Sequence, residues 1–276
     1  MTEKLLVCCD LDGTLMDEQL TILPETKAAL RALIADGHIV YLVTGRMFYS
    51  GQVLAKEIAP GMQVVGSNGG IIQLGDQVLK NSMAPAIVAA LTELSYAMAL
   101  SLFLFGSQKV FYTATVPEYL HGDAANRVHS PNPDDYVQLS RDEAENIDEV
   151  INGIIVDNNE KPVNLTALRD QLTAMFGDQL LLSSSQPRNI ELIPAGADKG
   201  HAVRTLQRYY GIDAAHTIAF GDGENDISML AAAGVGVAVG NAATVVKEAA
   251  RFVTDDYRDG GVANFINHYV FKGVER

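Results

Sequence analysis

The segment LLVCCDLDGTL, residues 5–15, decides the fold class of this chain. Its first five residues form an unbroken apolar run, which is typical of a strand buried on both faces of a parallel sheet. Asp10 and Asp12 follow at once, and Gly13 then favours a turn. In open parallel sheets, ligands bind beyond the carboxyl ends of the strands. The segment therefore predicts a buried strand that delivers two carboxylates to a ligand site.

The rest of the chain alternates strand patterns with helix patterns. PETKAALRALIADG (24–37) predicts a helix with proline in its first turn, and HIVYLVTGR (38–46) predicts a second buried strand. A further helix and the strand MQVVGSNGG (62–70) follow. The alternation resumes from residue 188 with the strand RNIELIP and later the strand TIAFGD (217–222). This order predicts an α/β fold with a Rossmann-like, doubly wound parallel sheet.

The pattern changes between these two parts. From residue 84 to 187, two long helical stretches alternate with shorter, more polar strand candidates, and residues 129–149 predict an exposed loop passing into a short helix. We therefore predict an inserted α+β domain at 84–187. The catalytic core is then discontinuous, formed by residues 1–83 and 188–276.

Composition narrows the choice of partners and compartment. The net charge of −14 argues against nucleic acid and anionic membranes, because both require a basic face. The chain contains no apolar run of the roughly 18 residues that span a bilayer, and its start lacks the layout of a secretion signal. We expect a cytoplasmic monomer or weak homo-oligomer. The adjacent Cys8 and Cys9 predict buried packing residues without a disulfide.

Polar residues are predicted to converge at one edge of the core sheet. The strand ends supply Asp10 and Asp12, Thr44 and Gly45, and the segment from Asp222 to Asp226, while Lys199 stands near the start of a helix. Clustered carboxylates require a compensating cation, and oxygen ligands select hard ions such as Mg²⁺. The edge therefore predicts a magnesium site that binds a phosphorylated small molecule.

Phosphoryl-transfer chemistry fits these residues. Asp10 can attack phosphorus to form an acyl phosphate, and Asp12 can protonate the leaving alcohol and later accept a proton from water. Lys199 would neutralise the phosphoryl oxygens. The Thr44 hydroxyl and the backbone N–H groups of Gly45 and Leu11 would donate hydrogen bonds to them. Arg46 could bind substrate, but an arginine after a strand is often a surface or ion-pair residue, so we predict no role for it in the site.

In these motifs the sequence strongly resembles the haloacid dehalogenase superfamily of phosphohydrolases. The matching segments are DLDGT at 10–14, TGR at 44–46, DKG at 198–200 and GDGENDISML at 221–230. The inserted domain, with SNGG at 67–70 and GGVANFI at 260–266, resembles the Cof-type branch with a large α/β cap. The resemblance implies that residues 84–187 form this inserted α+β cap domain, which selects the substrate. The resemblance implies that Asp10 is the nucleophile and Asp12 the general acid and base. It implies that Thr44 and Lys199 bind the phosphoryl group and that Asn225 contacts the substrate. It further implies that Mg²⁺ is bound by Asp10, the Asp12 carbonyl and Asp222, with support from Asp226.

The sequence leaves the substrate open. The resemblance favours sugar phosphates, while pyridoxal phosphate and flavin mononucleotide remain alternatives. Two other functions also remain: a phosphomutase, in which a sugar hydroxyl receives the phosphoryl group, and a non-catalytic sensor of a phosphorylated metabolite. Intact Asp10 and Asp12 argue against the sensor, because a carboxylate facing phosphate gives a pure binder no advantage.

Overall fold

The apolar run at the start of the chain forms the central strand of a parallel sheet in the computed structural model, which describes residues 3–113, 136–147, 149–157, 163–183 and 188–272. The strands are β1 Leu6–Cys9, β2 Ile39–Val43, β3 Gln63–Gly66, β4 Ile71–Leu74, β5 Gln77–Lys80, β6 Ser101–Phe105, β7 Val110–Tyr112, β8 Tyr136–Gln138, β9 Asn152–Val156, β10 Leu180–Ser183, β11 Asn189–Pro194, β12 Thr217–Gly221, β13 Val235–Ala238 and β14 Phe252–Val253. The helices are α1 Pro24–Ala35, α2 Phe48–Ile58, α3 Pro85–Met98, α4 Leu165–Phe176, α5 Lys199–Tyr210, α6 Ile227–Ala232, α7 Thr244–Ala249 and α8 Gly261–Phe265, followed by a π-helical turn at Ile266–Phe271.

The first sheet has the strand order β14-β13-β12-β1-β2-β3-β4-β5. Strand β1 pairs in parallel with β12 on one side and β2 on the other, so Cys8 lies opposite both Ala219 and Tyr41. All four β1 residues are buried, as expected for a strand covered on both faces. Strands β4 and β5 extend the sheet at one edge, beginning with an antiparallel turn from β3. The predicted α/β fold is confirmed.

Local sequence signals place the helices that flank this sheet. Pro24 occupies the first turn of α1, where its missing N–H costs nothing. The Asp198 side chain caps α5 by accepting a hydrogen bond from the His201 N–H at 2.9 Å, and Gly211 ends that helix in a left-handed conformation. These caps fix the first residue of α5, Lys199, at the edge of the sheet.

The second sheet has the order β10-β11-β9-β6-β7-β8. Its pairs are antiparallel except for β7 with β8. Helices α3 and α4 cover one face, where their apolar residues Leu91 and Leu172 share a buried core with Leu102, Ile155 and Leu192 from the strands. This is an α+β unit with its own core.

The chain divides into two compact units. One contains residues up to Leu79 together with those from Asp198 onward, and the other contains Lys80–Ala197. The prediction that the strand at 188–194 belongs to the core sheet is wrong. This strand is β11, and it pairs antiparallel with β9 and β10 in the second sheet. Its Ile190 and Leu192 side chains pack into the second core. An apolar pattern predicts a strand without specifying which sheet it joins.

The predicted loop and short helix at 129–149 are only partly described. Residues 129–135 lie outside the described residues. Tyr136–Gln138 forms strand β8 rather than loop, and Arg141–Asn146 forms a 3₁₀ turn with a capping box at Ser140. Cys8 and Cys9 are free and buried, as predicted. Among the described helices, none is both long enough and apolar enough to cross a membrane.

Candidate active site

The loop after β1 carries the two predicted catalytic aspartates into different environments. Asp10 is 6% exposed and its N–H donates to the Phe220 carbonyl on β12 at 3.0 Å. The side chain of Asp12 is 54% exposed. Gly13 follows with φ +81°, and a Cβ atom there would lie 2.5 Å from Asp222 Oδ2. Glycine is therefore required to bring this loop against the Asp222 carboxylate.

Lys199 joins two of the buried carboxylates. Its side chain is 1% exposed, and Nζ lies 2.6 Å from Asp10 Oδ1 and 2.6 Å from Asp226 Oδ1. Burial alone would lower the pKa of Lys199, but the charges of Asp10 and Asp226 outweigh burial and raise that pKa above its ordinary value. The ammonium group is therefore charged, although the helix N-terminus disfavours a cation. This arrangement favours a functional role for Lys199.

Asp10 is the carboxylate most affected by its surroundings. Burial and the neighbouring Asp226 charge raise the pKa of Asp10 to about 8, although Lys199 acts in the opposite direction. A further cation beside Asp10 would favour its ionised form, because positive charge lowers the pKa of a neighbouring carboxyl group.

Three carboxylates lie close enough to share such a cation. Asp10, Asp222 and Asp226 each offer an oxygen within 4.8 Å of the other two. Asp222 Oδ1 accepts from the Thr14 hydroxyl at 2.9 Å, and burial raises the pKa of Asp222 above its usual range. Within the described part of the chain, Asp222 Oδ2 and Asp10 Oδ2 accept no hydrogen bond. These two oxygens suit a hard cation such as Mg²⁺.

Asp226 accepts hydrogen bonds at both of its carboxylate oxygens. Its Oδ1 binds Lys199, while its Oδ2 accepts from the backbone N–H groups of Asp222 and Gly223, each at 3.0 Å. Both oxygens therefore already serve to hold the loop after β12 in place. This geometry is consistent with a supporting position for Asp226 and leaves Asp10 and Asp222 as the carboxylates with an oxygen that could reach a metal directly.

The predicted phosphoryl-binding groups stand at the ends of β1 and β2. Thr44 and Leu11 are fully buried, and Gly45 is exposed. Among described residues, the Gly45 and Leu11 N–H groups and the Thr44 hydroxyl donate no hydrogen bond, although Thr44 Oγ1 accepts from the Arg46 N–H at 3.1 Å. These donors remain available for a ligand at the sheet edge.

Arg46, which the sequence analysis left without a role, contacts the predicted acid and base. Its Nε donates to Asp12 Oδ2 at 2.8 Å, and its Nη2 forms a very short ion pair with Asp12 Oδ1. The arginine side chain is 11% exposed, and its Nη1 is buried without a partner in the described structure. The two-point contact fixes the orientation of the Asp12 carboxylate. The TGR motif held this signal, but only the fold shows which carboxylate Arg46 meets.

Asn225 is linked to a second residue that the sequence analysis did not select. The Asn225 amide donates to Asn68 Oδ1 at 3.1 Å, and the Asn68 amide lies against Gly45. The structure thus gathers Asp10, Lys199, Asp222 and Asp226 into one cluster, and it pairs Asn225 with Asn68 and Asp12 with Arg46.

Buried carboxylates around one buried lysine thus form an acidic site at the carboxyl edge of the parallel sheet. A family model for haloacid dehalogenase-like hydrolases matches residues 7–266, so the chain belongs to that family. A Bacillus subtilis 5-amino-6-(5-phospho-D-ribitylamino)uracil phosphatase is 27% identical over 97% of this chain and 98% of its own length. The predicted family and enzyme class are confirmed.

Solved structures agree with this assignment. A haloacid dehalogenase-like hydrolase from Bacteroides thetaiotaomicron matches 97% of this chain and 100% of its own, with a TM-score of 0.82 and 25% identity. A sugar phosphatase of haloacid dehalogenase subclass IIB has a TM-score of 0.75 and 23% identity, covering 96% of this chain and 99% of its own. The latter is a likeness of fold.

Proposed function

We propose that this chain is a Mg²⁺-dependent phosphatase that hydrolyses small phosphorylated metabolites, sugar phosphates foremost, through an aspartyl-phosphate on Asp10. The observation that carries this proposal is the Asp10 carboxylate itself. It is buried, one oxygen is held 2.6 Å from Lys199 Nζ, and the other has no hydrogen bond from a described residue. Such a carboxylate has one oxygen fixed in place and one available to attack.

The donor set supports magnesium. Asp10 Oδ2, Asp222 Oδ2 and the Asp12 backbone carbonyl are oxygen ligands of the kind that Mg²⁺ prefers, and none accepts a hydrogen bond from the described residues. When bound, Mg²⁺ would offset the charge of the carboxylates and the phosphoryl group, so that both can approach each other. This also accounts for an Asp10 whose pKa is otherwise raised to about 8.

In the first step Asp10 attacks phosphorus, and the bond between phosphorus and the leaving oxygen breaks. Asp12, which must exchange one of its two contacts with Arg46 for a proton, gives that proton to the leaving oxygen, so the product leaves as an alcohol. In the second step water attacks the same phosphorus, Asp12 accepts the proton, and the bond to Asp10 breaks to release inorganic phosphate. Lys199 keeps the Asp10 oxygen in position throughout, and the free donors of Thr44 and Gly45 hold the phosphoryl oxygens.

The substrate class rests on weaker support. The name of the B. subtilis relative specifies a substrate with a phospho-D-ribityl group, which is a sugar-alcohol phosphate. This supports sugar and polyol phosphates. Flavin mononucleotide, whose phosphate also sits on a ribityl chain, is the second candidate on the same observation. We propose that the inserted unit supplies the residues that choose among them.

The test is release of inorganic phosphate from p-nitrophenyl phosphate, a panel of sugar phosphates, flavin mononucleotide and pyridoxal phosphate, with Mg²⁺ or with EDTA. Native protein is compared with Asp10→Asn and with Asp76→Asn, which alters an exposed aspartate in the β4–β5 turn. We expect Mg²⁺-dependent turnover that Asp10→Asn abolishes and Asp76→Asn retains.

Other outcomes would point elsewhere. A new phosphorylated sugar formed without free phosphate would identify a mutase. Binding of phosphorylated compounds without turnover would identify a sensor. Turnover that survives in Asp10→Asn would contradict the aspartyl-phosphate.

A further inference from the structure

The turn that follows β3 has an unusual backbone. Ser67 and Asn68 have φ values of 52° and 55°, in the left-handed region that residues with a Cβ atom rarely adopt. Hydrogen bonds hold this conformation: the Ser67 N–H donates to the Arg46 carbonyl at 2.8 Å, and the Asn68 N–H donates to the Thr44 carbonyl at 3.0 Å. The turn is therefore fastened to the loop that carries the predicted phosphoryl-binding groups.

The conformation places the Asn68 side chain over that loop. A Cβ atom on Gly45 would lie 3.1 Å from Asn68 Oδ1 and 3.4 Å from Nδ2, so the amide packs directly on the glycine backbone. Asn68 is only 9% exposed, and its Oδ1 accepts from the Asn225 amide at 3.1 Å. The amide thus stands between Gly45 and Asn225, in the middle of the candidate site.

The hydrogen bond from Asn225 to Asn68 Oδ1 leaves Asn68 Nδ2 without a partner among the described residues. An asparagine amide has two donor hydrogens and an acceptor oxygen. In Asn68 the oxygen is used by Asn225, whereas Nδ2 donates to none of the described residues. This nitrogen is not among the buried side-chain atoms that lack a partner in the described structure, so a ligand in the site can reach it and accept its hydrogen bond.

We propose that Asn68 is a substrate-binding residue whose Nδ2 donates to a phosphoryl oxygen of the phosphate monoester, beside the Gly45 N–H. The inference rests on the proposed function, since it names a further contact for the same phosphoryl group. Asn225 then has two roles, because its amide also fixes which face of the Asn68 amide points towards the ligand. A strained backbone at a site is retained where it positions a functional group, and here that group is the Asn68 amide.

Three variants separate this role from simple packing. Asn68→Gly removes the amide and relieves the left-handed backbone, so folding is not endangered. Asn68→Asp keeps the shape and the acceptor for Asn225 but replaces the donor by a charge that repels phosphate. The matched control is Ser67→Gly, which changes the backbone preference at the adjacent position and leaves the amide intact.

Two readouts are used on the full chain with Mg²⁺. The first is the inhibition constant of inorganic phosphate against p-nitrophenyl phosphate hydrolysis, together with kcat/KM. The second is the shift in Tm caused by inorganic phosphate, which needs no turnover. We expect Asn68→Gly to weaken phosphate binding and kcat/KM about tenfold, and Asn68→Asp to weaken them more, since a hydrogen bond to a charged group is lost.

Each outcome decides the inference. Weakened phosphate binding in both Asn68 variants, with Ser67→Gly within about twofold of native, supports it. Native-like phosphate binding in the Asn68 variants would overturn it, and so would a Ser67→Gly loss of equal size, because the effect would then belong to the turn. A native protein whose Tm phosphate does not raise would also overturn it. If native protein binds phosphate but turns over none of the substrates, the proposed function alone is refuted.

Discussion

Replacing Lys199 by methionine removes the ammonium group between two buried carboxylates while keeping a straight side chain that favours helix. In the native protein the lysine is 1% exposed and lies 2.6 Å from both Asp10 and Asp226. The variant therefore leaves a buried acidic cluster without the cation that compensates it. Asp222 adds a third carboxylate to that cluster.

The size of the effect follows from what the carboxylates can do instead. Removing one partner of a buried ion pair typically costs about 3–5 kcal/mol of stability. The pKa of Asp10 is already raised to about 8, so at pH 7.5 this group takes up a proton at little cost. The other carboxylate that Lys199 contacts is Asp226, which keeps two backbone N–H donors. We therefore expect a loss near the lower limit, about 3 kcal/mol in EDTA.

The pH dependence has a definite sign. Because the folded pKa of Lys199 lies above its ordinary value, the ammonium contributes stability throughout the neutral range and loses it only as pH rises through that raised pKa. The difference in unfolding free energy between native protein and Lys199→Met in EDTA should therefore persist from about pH 7.5 to about pH 9, below the ordinary pKa of lysine.

The assay is urea unfolding followed by circular dichroism, in EDTA and in Mg²⁺. The control is Lys56→Met, which removes an exposed lysine from the last turn of α2 and should cost less than about 1 kcal/mol. Added Mg²⁺ should restore part of the stability lost by Lys199→Met. A loss below about 1 kcal/mol in EDTA at pH 7.5, equal to that of the control, would refute the reasoning.

Three further predictions concern the same site. Arg46→Lys keeps the charge but loses the two-point contact with Asp12, so kcat should fall about tenfold with KM nearly unchanged; an unchanged kcat in steady-state assays would contradict an orienting role. Asp10→Asn removes a group whose folded pKa exceeds its unfolded one. Because the folded state then holds a proton that the unfolded state releases, native stability in EDTA should fall as the pH rises from about 4 to about 8, and this fall should be absent from the variant. Parallel stability curves would disprove the raised pKa. Gly13→Ala puts a Cβ 2.5 Å from Asp222 Oδ2 at φ +81°, so it should lower stability by about 1–3 kcal/mol and weaken Mg²⁺ binding in calorimetry; native-like values in both measurements would exclude this clash.

Much of the fold is encoded locally. The run Leu6–Cys9 is apolar at every position, and such a strand can only be covered on both faces, which the parallel sheet achieves. Pro24, Asp198 and Gly211 mark helix ends through the geometry of single residues. The alternation of these elements in the chain was enough to predict the α/β class and the edge at which the acidic residues meet.

Contacts between distant segments could not be predicted in this way. Strand β11 has the pattern of a buried strand, yet its partners are chosen by pairing with β9 and β10, which no local pattern specifies. Arg46 looks like any arginine after a strand until the fold brings it to Asp12, 34 residues away in the chain. Asn68 reaches Asn225 across 157 residues.

The sequence by itself therefore determined which residue types stand at the strand ends, and from them it predicted an acidic site with one lysine that would suit phosphate and a hard cation. The tertiary structure decided which atoms of these residues are already hydrogen-bonded and which remain free. It left an oxygen of Asp10 free, occupied both oxygens of Asp226, and placed Arg46 and Asn68 beside their partners. The physical reason is that residue type fixes what a group can donate, accept or ionise, whereas burial and long-range contacts fix which of those capacities remain available.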